Sequence, residues 1–445
     1  MPNLTQLRLA AREIFYEVLL AVDAGAAVRQ AVRIDGTQLS VCDNAIDLSA
    51  QQPIYAIAIG KAACSMASAL DEVLAGKLVA GVLSSNVSPG TAALTRWQVF
   101  QGGHPEPNEQ SLAAAEAGFD LLKRADQEGA LVIFLISGGG SAMIEWAISD
   151  EITLSDLQTA NRALINCGAS IGEINAVRRA FSALKGGRLA DRVPHCEQMT
   201  LIVSDVPPGE ERNVASGPTL APHTNAMDAR DVVTKYSLRS QLPGAILRVI
   251  DGDSVASAPI GAALLRRHFV ILDNQLALKA AAEGARRRGS VTEIADDILD
   301  QPIEDGGSAL LQRLGQLRER ALVEPGTSAL CLISGGEFAC PVRGDGIGGR
   351  NLETALRLAI SAGPSTSESF VALCAGTDGI DGNSPAAGAI VDNTTISRAR
   401  AIGLDPQDFL DRSDAYSFFV ALGEVIATGP TGTNVRDLRI LLRAG

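Results

Sequence analysis

Leu135-Ile136-Ser137-Gly138-Gly139-Gly140-Ser141-Ala142 is the stretch that decides the fold. It closes an apolar run, Leu131 to Ile136, that reads as a buried strand. Three glycines and two serines follow at once, and a glycine-rich turn at a strand end lets backbone N–H groups approach an anion closely. The same five residues recur as Leu332-Ile333-Ser334-Gly335-Gly336. Two such strand ends, one in each half, would suit a negatively charged substrate if they faced one cleft. Read as tight turns alone, they would carry no chemistry.

Upstream, Ile54 to Ile59 reads as a strand running into Gly60-Lys61 and an Ala/Ser-rich helix, Ala62 to Ala75. That junction sets an ammonium beside the positive end of a helix dipole. It is not a Walker A loop, because position 55 is Tyr where that pattern needs Gly. The bland alternative is a surface lysine. The loop Gly102 to Asn108 is stiffened by Pro105 and Pro107 and holds His104, a substrate contact or simply a hydrogen-bonded loop histidine. Asn108 is placed to cap the helix from Glu109 to Arg124.

Downstream, helical stretches over Leu154 to Ile171 and Ile174 to Leu184 lead into Lys185-Gly186-Gly187-Arg188. With Arg178 and Arg179 these form a basic cluster, or a solvated helix face. The strand Met199 to Val203 ends in Ser204-Asp205, and an acid just past a strand's carboxyl end sits where open α/β sheets bind ligands. Strands alternating with helices indicate a doubly wound parallel sheet. A first helix, Leu4 to Ala21, and an irregular segment to Gln52 precede it. Composition loosens between Gln241 and Pro259, which divides the chain into residues 1–245 and 246–445.

In the second half, Phe269 to Leu272, Gln275 to Arg288 and Val291 to Ala295 read as strand, helix and strand, and Ser308 to Leu322 as a helix. The second glycine turn continues through Glu337 to Val342, read as a strand, into Arg343-Gly344-Asp345-Gly346-Ile347-Gly348-Gly349-Arg350-Asn351 and a helix, Leu352 to Ile360. Gly344, Gly346 and Gly349 match the dinucleotide-fingerprint spacing. The loop also carries Arg343, Asp345 and Arg350; a dehydrogenase loop normally brings bare glycines to the pyrophosphate, and an arginine at the helix mouth suits a transferring phosphoryl group better. Strand Phe370 to Cys374 opens into Gly376-Thr377-Asp378-Gly379-Ile380-Asp381-Gly382-Asn383. That oxygen-rich turn fails the EF-hand pattern, with Ala389 at the closing position. A magnesium or substrate-hydroxyl role and a solvated turn both stay open. A last strand runs from Val435 to Leu442.

Composition bounds the function. A chain of 445 residues exceeds one core, so two domains are expected. With 46% hydrophobic and 20% charged residues it is globular rather than disordered. A net charge of −13 argues against nucleic acid and an anionic membrane face as partners. Seven scattered cysteines with no CxxC pair, and four widely separated histidines, fit a reducing compartment and disfavour a disulfide framework or a local zinc motif. With no apolar leader and no membrane-length apolar run, a cytoplasmic location is the expectation.

Taken in order, these blocks resemble the glycerate 2-kinase family that ends in a MOFRL domain. The resemblance rests on Ile59-Gly60-Lys61-Ala62-Ala63, Gly103-His104-Pro105, Ile136 to Ala142, Lys185 to Leu189, Ser204-Asp205-Val206, Ser216-Gly217-Pro218-Thr219, Gly348-Gly349-Arg350-Asn351, Gly376 to Gly382 and Thr428-Gly429-Pro430-Thr431-Gly432-Thr433-Asn434. It implies an α/β protein of two domains, a Rossmann-like doubly wound parallel sheet and a smaller α/β domain with a mixed sheet, with the active site in the cleft between them. It implies ATP, Mg2+ and phosphorylation of D-glycerate at the 2-hydroxyl to 2-phosphoglycerate. The family's catalytic lysine and arginine fall on Lys61 and Arg350, and an important acid on Asp205. Ala180, Phe338 and Ile347 stand where the family often carries other residue types.

The candidate contacts to substrate and nucleotide are Gly60, His104, Ser137, Gly138, Gly139, Gly140, Ser141, Lys185, Arg188, Gly335, Gly336, Glu337, Gly349, Asn351, Asp378 and Asp381, with Asp205 and Asp378 as metal ligands. The competing readings are an NAD(P)H-dependent hydroxypyruvate reductase and a non-catalytic sensor of a phosphorylated metabolite. The sequence leaves the oligomeric state open, a homodimer being one assembly available to it.

Overall fold

The computed structural model describes residues 2–48, 52–87, 94–223, 227–252, 266–321, 329–363 and 369–444. The chain forms two units, one spanning Ala24–Leu272 and the other combining Met1–Asp23 with Asp273–Gly445.

The first unit is built on six strands, all paired in parallel. Their order is Trp97–Gln101, Leu78–Ser85, Ile54–Ile59, Leu131–Ser137, Glu197–Val203 and Arg266–Leu272. Numbered along the chain, this is 3-2-1-4-5-6, the doubly wound order. Ile54–Ile59 and Leu131–Ser137 are buried along their whole length, as strands covered on both faces must be. These two neighbours, the first and fourth strands, flank the point where the order reverses. Their carboxyl ends carry Gly60-Lys61 and Ser137 to Ser141.

Asn108 caps helix Glu109–Gln127 with a reciprocal bond to Ser111. The helices Leu154–Asn166, Ile171–Phe181, Ala229–Lys235 and Gly244–Asp251 gather around a separate apolar cluster that includes Leu157, Val177, Phe181, Val232 and Ile246.

The second unit centres on a mixed sheet in the order Ser290–Ile294, Ala329–Ser334, Asp437–Ala444, Phe370–Gly376, Gly388–Asp392 and Val425–Ile426. Ser290–Ile294 and Ala329–Ser334 pair in parallel, and every other pair is antiparallel. The last strand of the chain inserts between Ala329–Ser334 and Phe370–Gly376. Because it runs against both, its first residue lies at their carboxyl ends, with Gly376 opposite Asp437.

Several sequence expectations are corrected. The division at 245/246 moves to 272/273, because Arg266–Leu272 pairs with Glu197–Val203 as the outer strand of the first sheet. Helix Leu4–Ala21 belongs to the second unit. Its apolar stripe, Leu7, Ala11, Ile14, Phe15 and Val18, is buried there against helix Asn274–Arg287 and two strands, and Arg8 pairs with Asp392 at 2.5 Å. The segment read as irregular contains helix Ala24–Ala31 and an antiparallel meander, Val32–Asp35, Gln38–Val41 and Asn44–Asp47. Four-residue strands are too short for their alternation to stand out. Residues 337–342 form no strand, only a bridge from Ala339 to Pro302, since Pro341 lacks the N–H a ladder needs.

Among the described residues no helix is long and apolar enough to cross a membrane.

Candidate active site

At the reversal point of the first sheet the two strand ends are stitched together. The Lys61 amide donates to the Gly138 carbonyl at 2.9 Å, and the Ala62 amide to Ser137 Oγ at 3.1 Å. Ser137 Oγ donates in turn to the Ile59 carbonyl at 3.2 Å. Gly60 has φ +115°, and a Cβ there would strike Ser137 and Gly138. Only glycine permits this approach.

Three predicted functional side chains meet at the glycine turn. A Cβ on Gly138 would land on the Asp205 carboxylate. A Cβ on Gly139, at φ +79°, would lie 3.2 Å from Lys61 Cγ and 3.2 Å from His104 Cδ2. Lys61, His104 and Asp205, far apart in the chain, therefore surround two consecutive glycines at a doubly wound sheet's ligand-binding edge. Gly138→Ala is accordingly expected to push Asp205 aside. Turnover should fall at least about tenfold in the folded fraction, with a loss of about 1–3 kcal/mol from overpacking. Unchanged kcat would remove Asp205 from this place.

Ser141 Oγ lies 2.8 Å from Ser216 Oγ, which donates to Asn175 Oδ1 at 2.7 Å. Ala215 and Ser216 have φ 50° and 63°, left-handed values that cost a non-glycine residue energy. Sequence reasoning noted Ser216 only inside a motif, since nothing in the residue types signals such a backbone.

Lys185 is committed elsewhere, and Arg188 through one of its nitrogens. Lys185 is 2% exposed and ion-paired with the buried Glu145, which also accepts from Ser182 Oγ at 2.6 Å. Burial pushes the Lys185 ammonium below its ordinary range, against the pull of Glu145. Arg188 donates to the carbonyls of Arg179 at 2.5 Å and Ser182 at 2.7 Å. The backbone of their turn supports the first site, with Gly186 N donating to Ser216 O at 3.3 Å and Gly187 N to Gly217 O at 2.7 Å.

The second constellation lies at the carboxyl ends of the mixed sheet. Arg350 opens helix Arg350–Ala362 and grips Asp437 through Nε at 2.6 Å and Nη2 at 3.3 Å. Its Nη2 also reaches Glu337 Oε1 at 2.6 Å. Burial works against the Arg350 cation, but Asp437 and Glu337 outweigh it and raise the pKa. For Asp437, burial likewise opposes the charge, and Arg350 overrides it to hold the carboxyl below its usual range. Asn351 Nδ2 bridges Asp437 at 2.9 Å and Asp381 at 3.2 Å.

Asp381 accepts from the backbone amides of Asn351 at 3.0 Å and Leu352 at 2.8 Å. Burial pushes it up to about 7, against those two donors. Asn274 holds the other glycine turn, accepting from Gly336 N at 2.9 Å and donating to Val435 O at 2.7 Å. Gly335 packs directly on Asn274 Oδ1. Asp378 turns its own loop, accepting from Ile380 N at 3.1 Å.

This arrangement overturns the dinucleotide reading of Gly344, Gly346 and Gly349. No strand leads into the loop. Gly344 and Gly346 pack against the backbone of Arg412 and Asp414, and Gly349 against Asp381. The helix amides that would cradle a pyrophosphate are already taken by the Asp381 carboxylate.

Asp437 and Arg439 escaped the sequence reading. Arg439 is fully buried, stacks on Phe338 with its guanidinium carbon 3.5 Å from the ring centre, and donates to the Gly335 carbonyl. The signal was present as charges two apart, Asp437 and Arg439, directly before the apolar run Ile440-Leu441-Leu442. Buried charges of that kind must be paired.

A lysine and a carboxylate at a doubly wound sheet's switch point, and a clamped arginine at the glycine-lipped end of a mixed sheet, define a two-unit α/β protein equipped to hold anions. Residues 10–251 match the family described as a domain of unknown function, DUF4147, and residues 330–437 match the MOFRL family. The chain belongs to this DUF4147–MOFRL family, the glycerate 2-kinase family its motifs resemble. It is 34% identical over 389 residues to a protein of Thermotoga maritima named D-glycerate 2-kinase, covering 87% of this chain and 90% of that one. A relative from Agrobacterium vitis, 36% identical over 87% of this chain and 98% of its own, carries the name hydroxypyruvate reductase. The crystal structure of a glycerate kinase from Thermotoga maritima superposes with a TM-score of 0.79 at 31% identity, covering 98% of this chain and 99% of that chain.

Proposed function

We propose that this protein transfers the γ-phosphoryl group of ATP to the 2-hydroxyl of D-glycerate, forming 2-phosphoglycerate and ADP. The observation that carries the reading is the meeting of Lys61, His104 and Asp205 at Gly138 and Gly139, on the ligand-binding edge of the sheet. The relatives named glycerate kinase supply the substrate.

Phosphoryl transfer asks the protein for positioning and charge neutralisation more than for covalent chemistry. We assign to Lys61 and to Arg350, each within its own unit, the neutralisation of phosphoryl charge. The fork of Arg350 is aimed in advance by Asp437 and Glu337, so little freedom is lost when it engages. Asp205 orients the substrate hydroxyl or takes up its proton as the new O–P bond forms.

Magnesium that travels with phosphates takes only one or two carboxylates from the protein. Asp205 at Gly138 fits that donor set, and Asp378 is the second candidate; a dedicated cage of three His, Cys, Asp or Glu side chains is absent among the described residues. When bound, the ion neutralises charge on the phosphate oxygens. Lys185 and Arg188 act from behind, as supports of the Ser216–Gly217 turn.

The glycine spacing that favoured a reductase no longer supports it, because Asp381 takes the helix amides a pyrophosphate would need. Phosphorus NMR of the product decides between positions, as does coupling through enolase without added mutase. The expected product is 2-phosphoglycerate with stoichiometric ADP. A 3-phosphoglycerate product would overturn the position, and oxidation of NAD(P)H by hydroxypyruvate without ADP release from any hydroxy acid would overturn the kinase.

A further inference from the structure

The first unit holds an open cavity of ≈ 670 Å³ against the helical cluster, and none of Lys61, His104 or Asp205 lines it. Four arginines line it, Arg179, Arg188, Arg230 and Arg248, against one carboxylate, Asp228. In a chain of net charge −13 this is a local reversal of the field.

Much of that charge has structural work. Arg230 donates to the carbonyls of Ile250 at 2.8 Å and Asp251 at 3.0 Å, closing the end of helix Gly244–Asp251. Arg188 uses one nitrogen, Nη1, for the carbonyls of Arg179 and Ser182. Arg248 meets Glu151 at 2.8 Å in an exposed pair that is worth little. Asp228 spends an oxygen on the Arg230 amide at 2.7 Å.

Arg179 differs. It is half-buried, and among the described residues its guanidinium makes no hydrogen bond or ion pair, while its backbone carbonyl accepts from Arg188. Its stem is wedged against Gly186, where a Cβ would lie 2.9 Å from Cδ. The side chain is thus held in place by packing while its fork of donors stays unused. Arg188 reaches the Arg179 carbonyl at 2.5 Å, and after burial its charge is what disfavours the Arg179 cation. Two partly desolvated arginines on one cavity wall, Arg179 with its fork unused and Arg188 with one nitrogen engaged, make a receptor for an anion that accepts from both. Phosphate oxygens match that planar fork bidentately. The volume suits a small organic molecule rather than a bare ion.

We propose that this cavity is a second anion site, binding the phosphoryl group of a phosphorylated small molecule between Arg179 and Arg188, separate from the Lys61 site. It does not depend on the proposed kinase reaction, because binding is read without turnover.

The test titrates inorganic phosphate, ATP without magnesium, and 2-phosphoglycerate into the full-length protein, following the melting temperature and calorimetric heat. A ligand of the folded state raises the melting temperature by mass action. At least one probe is expected to bind Lys61→Ala as it binds the wild type, and at least tenfold more weakly to Arg179→Ala. Arg179→Lys should recover part of the affinity, since the charge returns without the fork. Preference for ATP or for 2-phosphoglycerate identifies the source of the phosphoryl group.

Should Arg179→Ala fail to fold, Arg179→Gln, which keeps the stem packed on Gly186 and removes the charge, is expected to weaken the same binding several-fold. Binding that survives in both arginine variants overturns the site. So does binding abolished by Lys61→Ala, or no binding of any probe.

Discussion

Lys61→Ala is expected to lower kcat at least about a hundredfold while the protein stays folded. A charge acting on a transition state typically contributes about 3 kcal/mol or more, two powers of ten in rate. Lys61 stands where the first strand of a doubly wound sheet turns toward its helix, with its Cγ beside Gly139. The fold should tolerate the change, because the bonds that set this turn come from backbone. The Lys61 amide meets the Gly138 carbonyl and the Ala62 amide meets Ser137, and neither needs the ammonium. Steady-state kinetics beside a thermal melt distinguish the outcomes. Near-normal kcat with intact folding would reduce Lys61 to a surface cation.

Arg350→Ala is expected to cost at least as much rate, and stability as well. The guanidinium is the principal counter-charge of Asp437, which is 1% exposed. Removing one partner of a buried pair typically costs about 3–5 kcal/mol. The loss here should be smaller, because the Arg350 side chain is 35% exposed and Arg439 remains 3.7 Å from Asp437. Arg350→Lys separates the two effects. It keeps a cation near Asp437 but loses the fork, so the melting temperature should largely recover and kcat should not. Asp437→Asn adds an independent check. It leaves Arg350 in place and releases its aim, so kcat should fall while Arg350 keeps its Glu337 partner. If Arg350→Ala lost stability alone, with normal kcat in the folded fraction, Arg350 would be a structural residue and its assignment to the phosphoryl group would fail.

Much of this architecture is legible in the chain because it is locally encoded. Apolar runs such as Leu131 to Ile136 are short and end directly in glycines, which favours a buried strand running into a close turn over a buried helix. Asn108 before a periodic helix announces its cap. Hence the parallel sheet and the candidate positions Lys61, His104, Asp205 and Arg350 could be marked residue by residue.

Pairing was decided by the tertiary structure. Whether Arg266–Leu272 closes the first sheet or opens the second depends on which edge receives it, and edges are long-range facts. The same holds for helix Leu4–Ala21, whose apolar stripe is buried more than 250 residues down the chain, against Asn274–Arg287. A basic residue's task is equally invisible locally. Lys185 looked like a substrate ligand until Glu145 claimed it, and one nitrogen of Arg188 went to the carbonyls of Arg179 and Ser182. Asp437 looked like a strand residue until an antiparallel insertion brought it opposite Gly376 and under Arg350. Burial patterns and turns are written in near neighbours, so sequence alone determined them. The partner of a charge is chosen by whichever opposite group the folded chain brings within a few ångströms, and only the assembled fold makes that choice.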